Sequence, residues 1–233
     1  MIYYSTRAEI LHGLRDIVPL VLAAVPIGFV FGAVAAGKGL SAAEVTLMST
    51  LVFAGGSQFV AMDLWTHPAS WTALGFAALL VNLRHVLMGA SLERSLGRFR
   101  PWQKIPTLLV MADENWALAE SRARLTPLTP AYYLGLALPF YLSWILSSLA
   151  GALFGALIGD VAVYGLDFAF PAVFIVLLMG FWKGTETGLV LLASAIASLS
   201  VHTLVPGAWY IAAGALAGLA AAFIPLGRQE QAA

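Results

Sequence analysis

Cysteine is absent from the chain, which excludes disulfide bonds, thiol nucleophiles and cysteine metal sites while leaving the cellular compartment open. Charge is also scarce: 10% of the 233 residues are charged, against about 25% in a soluble domain. Hydrophobic residues make up 61% of the sequence, and the mean hydropathy is +0.88. This composition predicts an all-α, polytopic integral membrane protein.

Further absences narrow the function. Acidic and basic residues balance at twelve each, so no net field favours nucleic acid as a partner. No glycine-rich loop ends in Gly-Lys-Ser or Gly-Lys-Thr, which argues against ATP hydrolysis by this chain. No pair of histidines has the spacing of a helical metal site, so we expect no metal and no cofactor. The sequence therefore predicts a membrane protein that is not an enzyme.

Apolar runs define the predicted organisation. The first, residues 17–36, is long enough to cross a hydrocarbon core of about 30 Å. Shorter and longer runs follow, and we expect about seven to eight membrane segments in a single transmembrane domain over residues 1–233. Residues 1–16 mix charged and apolar positions without a continuous apolar core, so they are interpreted as an uncleaved amphipathic lead-in.

The run 42–65 is interrupted near its middle by Gly55, Gly56, Ser57 and Gln58. Two glycines disfavour helix by about 1 kcal/mol each, so two half-helices are expected to meet there as a broken or re-entrant segment. Unwound backbone at membrane depth must be buried in protein or line a wet cavity. The alternative is a glycine pair that only lets a neighbouring helix approach.

A second polar group, Asn82, Arg84 and His85, lies at the centre of the run 71–92. A charge at mid-membrane costs about 2.5 to 3.5 kcal/mol on insertion scales, so Arg84 needs a partner or a function. In an unbroken helix Arg84 would point about 160° away from Asn82, and we therefore expect another interruption near Asn82–His85. Alternatively, Arg84 forms a structural salt bridge with Asp113 or Glu114.

Basic residues predict the topology. Four of them, Arg94, Arg98, Arg100 and Lys104, occur in one short loop that should be cytoplasmic. The following run, 105–112, is too short to cross and is expected to dip into the membrane and return. An even number of crossings must separate cytoplasmic segments, so the Gly55–Gly56 run is predicted to form a hairpin. An external amino terminus would also satisfy this parity.

At these positions the sequence resembles the AzlC family of branched-chain amino acid permeases. The segments that carry the resemblance are Val25-Pro26-Ile27-Gly28-Phe29, then Phe53-Ala54-Gly55-Gly56-Ser57-Gln58-Phe59, then Asn82-Leu83-Arg84-His85-Val86-Leu87-Met88-Gly89, and finally Asp113-Glu114. The resemblance implies export of branched-chain amino acids from bacteria through the inner membrane, as a multi-pass protein. It also implies a small AzlD-type membrane partner of about four helices.

The candidate residues fall into three sets. Substrate binding is assigned to Gly55, Gly56, Ser57, Gln58, Asn82 and Arg84. Proton coupling or gating is assigned to His85, Asp113 and Glu114, because a histidine titrates near physiological pH and no ATP site is present. The substrate's apolar side chain is expected to lie against Phe53, Phe59 or Met88.

Two alternatives belong to other classes. The chain would be a structural subunit if its partner carried the substrate path. It would be an intramembrane hydrolase if Ser57 and His85 formed a nucleophile and base pair, although no residue to orient that pair is evident.

Overall fold

A computed structural model describes residues 5–158 and 184–224, together with Phe168, Ile175, Leu178, Met179 and Trp182 between them. All regular secondary structure in these residues is helical, which confirms the predicted all-α class. A short 3-10 turn occupies Leu96–Arg98. The α-helices are α1 (Thr6–Gly37), α2 (Ala42–Val52), α3 (Gly55–Asp63), α4 (Trp71–Glu93), α5 (Pro101–Leu109), α6 (Asp113–Leu125), α7 (Pro130–Ile158), α8 (Thr185–Leu204) and α9 (Trp209–Ala222).

Four of the described helices, α1, α4, α7 and α8, are long and apolar enough to cross a membrane. Two others, α2 and α9, are apolar but shorter. Helix α1 starts after the capping residue Ser5 and passes from the predicted lead-in into the first apolar run without a break. A further apolar run of the sequence, 170–182, is expected to be a membrane segment and lies mostly outside the described residues.

The chain divides into two compact units, the first formed by Met1–Met62 and Asn82–Ala169 and the second by Asp63–Val81 and Phe170–Ala233. In the second unit α8 and α9 pack through small residues. A Cβ added to Gly214 would overlap the hydroxyl of Ser198, and that hydroxyl donates to the carbonyl of Tyr210 at 3.0 Å. The small residues of α9 thus form a packing surface within the chain.

In the first unit α1 and α7 lie side by side and run in the same direction. Their glycines allow backbone contact, since an added Cβ at each would overlap the other helix. The close approaches, in order along the pair, are Gly13 with Tyr132, Gly135 with Ile10, Gly28 with Ser147, Gly32 with Ser148, Gly151 with Phe29 and Gly155 with Ala33. Because Glu9 also bonds to Thr129, both helices begin at the same end of the unit, as the crossing parity requires.

Helices α2 and α3 form a helical hairpin. Helix α2 begins with a capping box in which Ser41 and Glu44 bond each other, and hydrogen bonds from Ser41 lower the pKa of the Glu44 carboxyl. It ends at Phe53, whose φ of 31° is left-handed. The side chain of Gln58 then reaches back to Ser49 at 3.1 Å, so α3 folds back along α2. The predicted re-entrant break is confirmed.

The break lies slightly earlier than the glycines suggested. The turn is at Phe53 and Ala54, whereas Gly55 and Gly56 form the first turn of α3. A Cβ at Gly55 would lie 2.9 Å from the ring of Trp144, so this glycine allows close packing against α7. The two interpretations of the glycine pair, a break and a close contact, are therefore both realised by neighbouring residues.

Helices α5 and α6 form a second hairpin. Helix α5 has 9 residues, too few to cross a membrane. The hydroxyl of Tyr133 in α7 joins the two arms, because it donates to the carbonyl of Thr107 at 3.0 Å and lies 3.3 Å from Oδ1 of Asn115. Helix α6 then runs beside the second half of α4, where the indole of Trp116 donates to Ser91 at 2.9 Å. This arrangement agrees with a segment that dips into the membrane and returns.

The expected interruption near Asn82–His85 is wrong. Helix α4 is continuous from Trp71 to Glu93. No glycine or proline falls between Gly75 and Gly89, so the local sequence does not disfavour helix strongly. The second hairpin supplies an ion-pair partner for Arg84. The charge of Arg84 is therefore compensated while the helix stays continuous.

Candidate functional site

Gln58 lies at the centre of a buried hydrogen-bond network near the first hairpin tip, which we define as Phe53 to Gln58. Its side chain is fully buried. Its Nε2 donates to Oγ of Ser49 at 3.1 Å, and its Oε1 accepts from the indole Nε1 of Trp144 at 2.8 Å. Gln58 thus fixes the hairpin to itself and to α7. Ser57, the next predicted binding residue, is 2% exposed.

Aromatic rings surround this tip. Phe31 of α1 stacks on Trp144 with ring centroids 6.4 Å apart and meets Phe59 edge-on at 5.7 Å. Phe53 contacts Tyr141 of α7 at 4.8 Å. Two of the three predicted pocket residues, Phe53 and Phe59, therefore belong to two groups of rings that each include a residue of α7, and we call these two groups together the aromatic cluster. The third, Met88, is buried on α4.

Replacing Gln58 by leucine should destabilise the protein. The change removes both hydrogen bonds and leaves the buried polar groups of Ser49 and Trp144 without this partner, at about 1 to 3 kcal/mol for each unsatisfied group. The measurement is thermal unfolding in detergent. The comparison is Gln103→Leu, a partly buried glutamine outside this network whose side chain accepts a hydrogen bond from the backbone N–H of Arg100. An unchanged melting temperature for Gln58→Leu would contradict this account.

Arg84 pairs with the second hairpin tip, defined as Val110 to Asn115. Its Nη1 lies 2.8 Å from Oδ2 of Asp113, and both side chains are partly exposed. The expected alternative of an ion pair between these helices is thus realised. Asp113 and Glu114 occupy the first turn of α6, where the helix dipole favours acidic groups. Burial raises the pKa of the Glu114 carboxyl to about 7.

Three polar atoms on α4 keep unused hydrogen-bonding capacity. Oδ1 of Asn82, Nε of Arg84 and Nδ1 of His85 are buried without a hydrogen-bond partner. Buried polar atoms are seldom left unpaired, because each unmet bond costs free energy. These three atoms make this part of α4 a candidate for further polar contacts.

Helix α7 connects the two hairpin tips. Tyr133 holds the second tip, and Phe140, seven residues further along, contacts Phe53 of the first at 6.3 Å between ring centroids. Seven residues of helix span about 10 Å. The hydrogen bonds of Gln58 go to Ser49 and Trp144, and the ion pair of Arg84 goes to Asp113. The structure thus places residues of both hairpin tips against α7, whereas Gln58 and Arg84 have separate contacts.

A further polar cluster was missed by the sequence reasoning. Glu9 is 5% exposed and accepts from Arg122 at 2.9 Å and from Thr129 at 2.7 Å. The guanidinium of Arg122 also lies 4.7 Å from the ring centre of Tyr132, whose hydroxyl donates to Asp16. The available signal was a glutamate and an aspartate seven residues apart at the start of an apolar helix. Within the described parts of the chain, no group of three or more His, Cys, Asp or Glu residues suits a metal ion.

Comparison with known proteins identifies the family. The family model described as AzlC protein matches residues 19–158, more than half of the chain and a range that includes both hairpins. The chain belongs to the AzlC family. No solved structure matches it.

Full-length relatives agree with this assignment. An uncharacterized membrane protein of Archaeoglobus fulgidus is 33% identical over 92% of this chain and 94% of its own length. The inner membrane protein YgaZ of Escherichia coli is 28% identical over 93% of this chain and 91% of its own. The branched-chain amino acid transport protein AzlC of Bacillus subtilis is 27% identical over 77% of this chain and 72% of its own. Family and relatives together associate this chain with membrane transport.

Proposed function

We propose that this protein exports branched-chain or other hydrophobic amino acids across a bacterial inner membrane, as a proton-coupled secondary transporter acting with a small AzlD-type membrane partner. The name of the Bacillus subtilis relative supports the substrate class. That of the Escherichia coli relative supports the inner-membrane location.

The observation that carries the proposal is the pair of helical hairpins whose tips contact the same stretch of α7. Discontinuous helices at membrane depth are a recurrent way to bind small ionic substrates, because their ends offer unpaired backbone groups. The start of α3, at Gly55, Gly56 and Ser57, provides N–H groups and a positive dipole end for a carboxylate. The start of α6 provides carboxylates for an ammonium group.

The substrate would bind between these ends. Its carboxylate would lie at Gly55, Gly56 and Ser57, with Gln58 holding the backbone in place. The side chain of Asn82 would accept from the ammonium group through its unpaired Oδ1. Arg84 would assist the carboxylate or act as a gate by exchanging Asp113 for the substrate.

The apolar side chain of the substrate would lie against the aromatic cluster. Phe53 and Phe59 form part of the wall at the first tip, and Met88 is buried on α4. Such a surface favours a branched aliphatic side chain over a charged one by its hydrophobic contact, about 25 cal/mol for each Å² of apolar surface removed from water.

Proton coupling would use His85, Asp113 and Glu114. These groups lie on α4 and on the adjoining first turn of α6, next to the Arg84–Asp113 pair. Protonation of the Asp113 carboxyl would weaken its ion pair with Arg84, and the guanidinium could then bind the substrate. A proton gradient would in this way change how often Arg84 is paired with Asp113.

Transport by reconstituted protein tests the proposal. Liposomes carrying the purified chain, alone or with its AzlD-type partner, are loaded with radiolabelled leucine or lysine, and efflux is followed with and without a pH gradient. We expect leucine efflux to be faster than lysine efflux and to respond to the gradient. Equal, gradient-independent release of both amino acids, at the rate of protein-free liposomes, would overturn the proposal.

A further inference from the structure

A cavity of about 660 Å³ lies in the first unit between α5 and the starts of α1 and α7, and it extends to Tyr141, whose ring contacts Phe53 of the first hairpin tip. Its volume falls in the range of about 300 to 1,000 Å³ that is usual for ligand pockets. The wall is largely apolar and includes Phe99, Trp102, Pro106, Leu134, Ala137 and Leu138. This combination of size and lining suits a small amphiphile with an apolar side chain.

Glu9 is the one charged residue among those that line the cavity. Its two carboxylate oxygens accept one bond each, from Arg122 and Thr129, whereas an ionised carboxylate offers about four acceptor positions. Arg122 pairs with Glu9 at 2.9 Å but is not itself part of the cavity wall. One end of an apolar cavity therefore presents a carboxylate that retains bonding capacity.

The cavity opens at the end of the unit that carries the basic loop. Its lining includes residues on both sides of Arg100, in the segment that the charge bias places at the cytoplasm. An exporter must take its substrate from the cytoplasm. The position of the cavity thus matches the side on which loading occurs.

We propose that this cavity is a cytoplasmic loading site for an amino acid with an apolar side chain. The ammonium group binds Glu9, and the side chain lies along Trp102, Leu134 and Leu138. The substrate class rests on the function proposed above. The residues of this site differ from those assigned to the site between the hairpin tips, and it would be filled first.

A hydrogen bond connects this site to the second hairpin. Tyr133 lines the cavity, and its hydroxyl donates to Thr107 in α5 while lying 3.3 Å from Asn115 in α6. Asn115 in turn caps α6 through the backbone N–H of Ala112, at 2.9 Å and next to Asp113. A substrate that shifts Tyr133 would therefore disturb the hairpin tip that holds Arg84.

Photo-crosslinking in liposomes tests the loading site. The probe is a leucine analogue with a diazirine in its side chain, and labelled peptides are identified by mass spectrometry with excess leucine as competitor. We expect labelling of Trp102 or the Leu134 to Leu138 stretch that leucine suppresses. Leucine transport by the same liposomes with labelling confined to α2, α3 and α4 would overturn the loading site while leaving the proposed function intact. Absence of leucine transport would remove both.

Two matched tryptophan variants in α7 distinguish an effect of blocking the cavity from a nonspecific effect of a large side chain on this helix. Leu138 lines the cavity and Leu142 does not, although the two are similarly exposed at 47% and 45%. Leu138→Trp should raise the leucine concentration for half-maximal transport at least fivefold, and Leu142→Trp should leave it unchanged. Equal effects of the two variants would contradict the proposal, and so would no effect of Leu138→Trp.

Discussion

Replacing Arg84 by alanine is expected to slow leucine efflux more than tenfold while the protein remains in the membrane. The change removes the ion pair with Asp113 and the only cation that the candidate site offers among its assigned residues. A hydrogen bond to a charged group contributes about 1.5 to 3 kcal/mol, and each 1.4 kcal/mol corresponds to a factor of ten. The measurement is the initial rate of efflux, normalised to the amount of protein in the liposomes.

Two comparisons separate a role in transport from a structural ion pair. Arg94→Ala removes an exposed arginine in the basic loop and should transport normally. The double variant Arg84→Gln with Asp113→Asn keeps similar shapes without the charges. If the pair were only structural, this variant would restore efflux. If Arg84 acts on the substrate or the gate, efflux will stay low even when the melting temperature recovers.

Replacing Gly32 by valine should unfold or strongly destabilise the protein. A Cβ at this position would overlap the carbonyl oxygen of Ser148 and lie 2.8 Å from the backbone nitrogen of Ala152, and backbone atoms cannot move aside as a flexible side chain can. Overpacking usually costs about 1 to 3 kcal/mol, and contact with backbone puts this case at the upper end or beyond. The melting temperature in detergent and the yield of monodisperse protein measure the effect.

Gly37 provides the matched control because it ends the same helix and has no atom within 4 Å of an added Cβ. Gly37→Val should therefore melt within a few degrees of the wild type. A similar loss of stability in both variants would show that the substitution acts through helix propensity. A stable Gly32→Val protein would contradict the close α1–α7 contact.

Local sequence determined the first hairpin well. The glycine pair and the crossing parity both indicated a re-entrant segment near Gly55, and the structure has one. The turn itself lies at Phe53 and Ala54, because Gly55 is needed where Trp144 approaches from α7. That tryptophan is 89 positions further along the chain, so spacing within the run could not locate the turn.

The break expected near Asn82–His85 failed for a related reason. A polar group in an apolar run can be satisfied by unwinding the helix or by a partner on another element, and the run itself does not distinguish the two. Asp113 supplies the partner here. The sequence reasoning named this pair as an alternative, but only the packing of α6 beside α4 selects it.

Contacts between segments that are far apart in the sequence were the hardest to predict. Glu9 and Arg122 are 113 positions apart, and each looked like an ordinary residue near a helix end. Their pairing follows from the parallel packing of α1 and α7, which depends on six glycine contacts spread over both helices. Glycines four residues apart, Gly28 and Gly32 in α1 and Gly151 and Gly155 in α7, indicate close packing from the sequence alone, but the sequence does not show that these two surfaces pack on each other.

Substrate protection of introduced cysteines tests the central claim most directly, because the chain has no cysteine of its own. Ser57→Cys and Asn82→Cys place one thiol at each half of the candidate site, and Gly75→Cys places one where an added Cβ meets open space. A thiol reagent is applied with leucine, with lysine or with neither. The account predicts that leucine, but not lysine, slows modification at positions 57 and 82 and leaves position 75 unaffected. Unchanged rates at both site positions, or protection at only one, would contradict a single substrate site between the two hairpin tips.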